Sequence, residues 1–211
     1  EREGIGPRIF HSTWSAPSMG EAAGRKLVFF AGGDGVVYAF EPFKPQEAAA
    51  DPLPSLRRVW RFDCDPTAPK ENVHRYIRNR KESPSNIKSI PVVHNGRIYV
   101  TVGGDIWWGK HQAWLKCIDA TKTGDITSSG LVWSYPVGRH CCSTPSVHDG
   151  LVYVATDCGR RREGTEWTDT GGLSDEDGRL HCLDAETGRC YWTQVLGPMV
   201  WGSTLVADGK V

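Results

Sequence analysis

A short pattern recurs along the chain and constrains the fold more than any other feature. Ser89–Val100 reads SIPVVHNGRIYV, Ser143–Val154 reads STPSVHDGLVYV, and Gly202–Val211 reads GSTLVADGKV. The turn glycines Gly96, Gly150 and Gly209 stand 54 and then 59 residues apart. Self-similarity at this period is the signature of a repeat architecture. Each copy reads as a strand, a two-residue turn and a second strand. Asn95-Gly96, Asp149-Gly150 and Asp208-Gly209 are the pairs that supply the positive φ a tight hairpin needs. A degenerate copy opens the chain, where Ser15-Ala16-Pro17 is expected to lead through a longer turn to Lys26–Phe30.

A second half follows each copy. GVVYAFE (35–41), WLKCIDA (114–120) and RLHCLDA (179–185) are each followed by a turn and a strand carrying tryptophan, at Trp60, Trp133 and Trp192. A unit is therefore four short strands rich in Val, Ile, Tyr and Trp, which suit a pleated, half-buried surface. No stretch sustains a 3.6-residue period with caps, so almost no helix is expected. Four antiparallel strands per unit at this period predict an all-β fold, a β-propeller of four-stranded blades. Both faces of a strand such as LVYVAT (151–156) are apolar, as they must be if neighbouring blades cover each sheet. The boundaries expected are blade one at about 8–62, blade two at about 86–137, blade three at about 141–197 and the start of a fourth at about 200–211.

The most informative stretch is Cys182–Trp192, CLDAETGRCYW. Asp184 and Thr187 are turn formers that bond nearby backbone, and Gly188 suits the left-handed position. Trp192 offers a large flat surface for packing between blades. The stretch resembles the tryptophan-docking motif of the PQQ-binding-like (quinoprotein alcohol dehydrogenase-like) propellers, Ala-x-Asp-x-x-x-Gly-x-x-x-Trp, with Cys182 in the place of Ala. Blade two matches more loosely through Cys117, Asp119, Gly124 and Trp133, with extra residues in the turn. Blade one has Ala39 and Glu41, then a long excursion to Trp60. The resemblance implies a ring of seven or eight blades, of which these residues form about three and a half. One fold hosts many activities, so the resemblance speaks for fold before function.

The chain has 211 residues, with 25 basic and 25 acidic side chains. That balance carries no bias toward nucleic acid. No apolar run is long enough to span a membrane. Of the seven cysteines, Cys117 and Cys182 fill equivalent small apolar positions. A disulfide at Cys64 or Cys158 is compatible with an oxidising compartment, and no spacing suggests a structural zinc site.

A four-stranded meander puts second-to-third turns and blade-to-blade connections on one face. Three long insertions, 63–88, 103–113 and 157–178, belong there. Long insertions in a compact repeat are usually functional or disordered. Trp107, Trp108, Arg160, Arg161, Arg162 and Trp167 are therefore the candidate binding surface, beside a basic stretch containing Lys70, Arg75, Arg78, Arg80 and Lys81. The Pro- and Ala-rich loop 42–57 lies on the opposite face and reads as plain solvated chain. His94 and His148 are equivalent positions beside the hairpin turns, and His140, next to two adjacent cysteines, is the histidine to watch.

Cys141 and Cys142 pose the sharpest question. Quinoprotein alcohol dehydrogenases carry a vicinal disulfide beside PQQ, so the resemblance makes this pair a candidate cofactor contact. In the aligned copies the same slot holds Lys88 and Trp201, which favours a structural position at the start of a blade. PQQ with calcium is implied by resemblance alone, and no residue here is assigned to catalysis or to a metal. The reading reached is a non-catalytic, extracytoplasmic binding or scaffold propeller of bacterial type, similar to BamB, the outer-membrane protein assembly factor. Its expected partner is a protein or a polysaccharide, with any lipid anchor lying outside these residues. The alternative is a PQQ-dependent alcohol or sugar dehydrogenase.

Overall fold

In a computed structural model, residues 5–44, 55–156, 178–197 and 200–211 are described. They form three antiparallel sheets in sequence order. The first comprises β1 (Ser18–Ala22), β2 (Arg25–Ala31), β3 (Val36–Phe40) and β4 (Arg58–Asp63). The second contains the short β5 (Asn86–Ile87), β6 (Val92–His94), β7 (Arg97–Gly103), β8 (Ala113–Asp119) and β10 (Leu131–Gly138), while the two-residue β9 (Gly124–Asp125), between β8 and β10 in sequence, joins the first sheet. The third comprises β11 (Ser146–His148), β12 (Leu151–Thr156), β13 (Gly178–Asp184) and β14 (Cys190–Gly197). The only helical elements among the described residues are two single 3₁₀ turns, Gly6–Arg8 and Val73–Tyr76. The fold is all-β, a portion of a β-propeller.

The turn chemistry is repeated in each blade. Asn95 and Gly96 have φ of 48° and 69°, Asp149 and Gly150 48° and 74°, and Asp208 and Gly209 51° and 68°. The first copy was expected to use a longer turn, and it does not. Ala23 and Gly24 take φ of 51° and 69°, and β1 pairs with β2 out to Ala22 opposite Arg25. The hairpin is the same two-residue one, hidden in the sequence because Ala stands where the other copies have Asn or Asp. Tight pairing of the flanking strands holds a residue that would not choose a positive φ by itself.

Each blade interface is a core. Leu27, Phe29, Val37, Ala39 and Trp60 of blade one pack with Ile98, Val100, Ile118 and Ile126 of blade two. Tyr99, Leu115, Cys117 and Trp133 of blade two pack with Val152, Val154, Leu183 and Ala185 of blade three. Burial on both faces explains why the strands lack the alternation of a one-sided sheet. Cys117 and Cys182 are 0% and 1% exposed, small apolar fillers whose thiols burial pushes up, Cys117 to about 12.

Tryptophans join one blade to the next. Trp60 Nε1 donates to the carbonyl of Ala120 at 3.1 Å, and Trp133 Nε1 donates to that of Ala185 at 3.0 Å. Gly188 lies against the Trp133 ring, where a Cβ would come within 2.6 Å, and its φ is +72°. Both facts call for glycine. Asp184 closes the adjoining turn by accepting from the Glu186 and Thr187 amides and from the Thr187 hydroxyl. Asp119 does the same for Thr121. The extra residues in the blade-two turn also work between blades. β9 pairs in parallel with β4, Gly124 opposite Trp60 and Asp125 opposite Arg61, and Ile126 is buried in the blade one–two core. Trp192 is 44% exposed.

Hydroxyls link the blade starts around the ring. Ser89 and Ser143 occupy aligned positions, and their Oγ atoms accept the amides of Thr101 and Ala155. Thr144 Oγ1 accepts from the Ile90 amide of the preceding blade, and Ser203 Oγ accepts from the Thr144 amide. Thr144 and Ser203 thus join neighbouring blades, while Ser89 and Ser143 tie each blade start to its own second strand.

Candidate binding surface on the loop face

Asp105 organises the insertion between β7 and β8. Its carboxylate is fully buried. One oxygen accepts the amides of Trp107 and Trp108, both at 2.9 Å, which fixes the tight turn that presents the two indoles. The other meets His11 Nδ1 at 2.9 Å and Lys88 Nζ at 3.2 Å. Burial pushes the Asp105 carboxyl up, but the Lys88 ammonium, His11 and the Trp108 amide outweigh it and hold the group below its ordinary value. Gly104 lets the loop close, since a Cβ there would strike the Lys110 carbonyl.

The connection from blade one to blade two is bonded to this loop. The Arg80 guanidinium donates to the carbonyls of Ile106, Trp107 and Gly109. The Arg78 amide donates to Trp108 O at 2.9 Å and the His111 amide to Arg80 O at 3.1 Å. Deeper down, Lys110 Nζ meets Asp65 Oδ2 at 2.6 Å, and Ser85 Oγ donates to the same oxygen. Lys70 pairs with Asp63 at 2.8 Å. Of the basic stretch seen in the sequence, Lys70 and Arg80 thus work inside the protein, while Arg75, Arg78 and Lys81 are exposed.

An aromatic row lies over this frame. Trp107 packs edge-on against Trp14 at 5.5 Å, Trp201 at 5.4 Å and His11 at 5.6 Å, and His11 reaches Trp108 at 6.3 Å. The Arg78 guanidinium sits 5.9 Å from the Trp108 ring, Lys88 Nζ 5.8 Å from Trp14, and Arg75 5.9 Å from Tyr76. Such cation–ring contacts contribute about 0.5–1 kcal/mol each at exposed sites. Trp14 and Trp201 are 45% and 43% exposed. Arg160, Arg161, Arg162 and Trp167 lie outside the described residues.

The cysteine pair stands at the start of blade three. Cys141 is buried and its thiol donates to the Ala155 carbonyl at 3.1 Å. Cys142 is half-buried. The slot it shares with Lys88 and Trp201 is not an ordinary one: Lys88 is buried on Asp105 and Trp201 packs on Trp107. Trp14, immediately before Ser15, occupies the same slot in the first copy. Sequence reasoning missed Asp105, His11, Trp14 and Lys88, and the aligned slot before each repeat was the signal that could have found Trp14 and Lys88.

His140 is buried beside this pair. A carbonyl only accepts, so the Nδ1···O contact with Gly104 at 3.2 Å places the proton on Nδ1. Nε2 has no hydrogen-bond partner among the described residues. His111 lies edge-on at 5.2 Å and accepts from the Arg139 guanidinium through Nδ1 at 3.0 Å. Burial first, then the Arg139 charge for His111, lowers that ring to about 3. Burial likewise lowers His140 to about 3, helped by Lys88, Arg139 and Arg80. Both rings are neutral at pH 7, which suits packing rather than proton transfer. On the opposite face, the loop after β3 returns through an Arg57–Glu41 ion pair beside Phe43 and Leu56.

No protein-family model matches the chain, and no curated protein matches it. Solved structures do. The quinohemoprotein alcohol dehydrogenase of Comamonas testosteroni matches with a TM-score of 0.51 at 14% identity, over 82% of this chain and 26% of that one. BamB from Moraxella catarrhalis matches with a TM-score of 0.49 at 13% identity, over 89% of this chain and 40% of that one. Quinohemoprotein alcohol dehydrogenase ADHIIG from Pseudomonas putida HK5 matches with a TM-score of 0.49 at 19% identity, over 89% and 21%. The chain spans well under half the length of each. At 14% identity the likeness to the Comamonas structure concerns architecture alone, and together with the three sheets it identifies the chain as a portion of a β-propeller.

Proposed function

We propose that this chain belongs to a non-catalytic propeller that binds another macromolecule through its loop face. One observation carries the reading. Insertions from two different connections are joined through Arg80 into a single platform whose outer members are indoles and guanidinium groups. Trp, Tyr and Arg are the residues that dominate binding energy at interfaces. A platform held by buried bonds loses little entropy when a partner docks. The buried carboxylates are committed to structure, Asp105 to Lys88 and Asp65 to Lys110. No helix among the described residues is long and apolar enough to cross a membrane. An extracytoplasmic setting and a BamB-like scaffold role rest on resemblance, with a protein or a polysaccharide as partner.

A second reading, a PQQ-dependent alcohol or sugar dehydrogenase, is favoured by the position of Cys141–Cys142 in a slot that elsewhere meets the aromatic cluster. The described residues fit that cofactor incompletely. Trp14, Trp107 and Trp201 offer ring surfaces and Lys88 a cation, but Lys88 is already neutralised by Asp105. No group of three His, Cys, Asp or Glu side chains among the described residues is placed to hold a calcium ion. The test is a titration with PQQ and calcium followed by absorbance, then dye reduction with a panel of alcohols and sugars. Neither saturable binding nor turnover is expected, and one-to-one binding with turnover would overturn the scaffold reading.

A further inference from the structure

We infer that the row formed by Arg78, Trp108, Trp107 and Trp14, with Arg75 three residues before Arg78 in the same connection, binds an acidic oligosaccharide, with sugar rings on the indoles and uronate carboxylates on the two arginines. This rests on the loop-face reading above and names its ligand class. Arg75 and Arg78 are exposed, and no carboxylate of the described residues forms an ion pair with either. Each guanidinium stands 5.9 Å from an aromatic ring, so a cation and a flat apolar surface are offered side by side.

Arg78 is also held in an uncommon conformation. Its φ is +67°, in the left-handed region that a long side chain enters at a cost. The bond from its amide to Trp108 O holds it there. Strain retained at an exposed residue points to a use for that residue.

The backbone beneath the ridge chooses between two linear anionic polymers. Extended peptides are commonly captured through main-chain hydrogen bonds. Here the carbonyls of Ile106, Trp107 and Gly109 accept from Arg80, and that of Trp108 accepts from Arg78. What remains on offer is ring faces and guanidinium planes. Pyranose rings present C–H faces to an indole while their carboxylates reach outward to cations, which matches that offer. The contacts run as a row, from Trp14 through Trp107 and His11 to Trp108 and Arg78, and a row suits a chain-like ligand.

The experiment is calorimetric titration of the protein with a defined oligogalacturonate at low salt, alongside a neutral cello-oligosaccharide and an oligoglutamate peptide of similar length. Saturable binding of the oligogalacturonate is expected, weakened at least tenfold by W108A and by R75A and reduced by salt. R75A leaves the strained Arg78 backbone alone, so it separates lost charge from a disturbed loop, and W192A, on β14, is expected to bind as the parent does. Absence of oligogalacturonate binding, or binding indifferent to both W108A and R75A, overturns the proposal. Oligoglutamate binding that W108A abolishes, with no oligogalacturonate binding, overturns the sugar assignment and leaves the loop-face reading standing with a peptide partner.

Discussion

Tryptophan does two different jobs in this molecule, and their surroundings separate them. Trp60 and Trp133 lie in outer strands, 1% and 8% exposed, each giving its N–H to a carbonyl of the next blade. Trp107 and Trp108 lie in a loop, where the contacts that position them are made by their backbone amides to Asp105. In the first pair the ring is the structural contact. In the second the backbone is fixed, and the rings join an aromatic row at the surface. What separates the two classes is packing against the neighbouring blade.

The largest expected effect is at Trp60. Trp60→Ala removes a buried ring and its bond to Ala120, and about 3–5 kcal/mol of stability should be lost, measured by denaturant unfolding. A loss below 1 kcal/mol would show that the blade one–two interface does not depend on it. Next is Asp105→Ala, which strands Lys88 as an uncompensated buried charge. A cost of about 3 kcal/mol is expected, with a change in tryptophan fluorescence as Trp107 and Trp108 lose their anchor. Unaltered fluorescence would separate Asp105 from the indoles.

The pH dependence sharpens the contrast from the core side. His111 and His140 are lowered to about 3 and His181 to about 4, in each case chiefly by burial. Unfolded histidine titrates near 6.5, so between that value and the folded ones the unfolded chain binds more protons. Stability should therefore be complete above about pH 6.5 and fall steadily as pH drops toward 3. His140→Phe should flatten that slope in unfolding midpoints measured from pH 7 to 4, and a slope identical to the parent would remove His140 from the explanation.

The smallest effect lies at the surface. Trp108→Ala should change stability by about 0.5 kcal/mol or less while removing the ligand binding described above. A large loss of stability would return Trp108 to the structural class.

Much of the blade architecture was legible because hairpin chemistry is local. Asn95-Gly96 and Asp149-Gly150 announce their turns from two residues each. Ala23-Gly24 did not, since the left-handed φ of Ala23 is imposed by strand pairing and has no signature in its side chain. The clasp made by β9 was equally hidden, because its partner β4 belongs to the preceding blade and the pairing is parallel. At the candidate site, Trp107 and Trp108 stood out as aromatics in a long loop. Asp105 did not, although it holds both, because a single carboxylate gains meaning only from the His11 and Lys88 brought to it from far along the chain.

The sequence by itself determined the repeat, the four-stranded blade, the positions of most turns and the placing of the 63–88 and 103–113 insertions on one face, since strand alternation and turn geometry are properties of a few adjacent residues. The tertiary structure decided which tryptophans dock and which stay open, which lysines and arginines are spent on internal carboxylates and carbonyls, and that loops from two connections form one platform. Those outcomes depend on burial and on charge pairing between blades, and both exist only once the blades have come together.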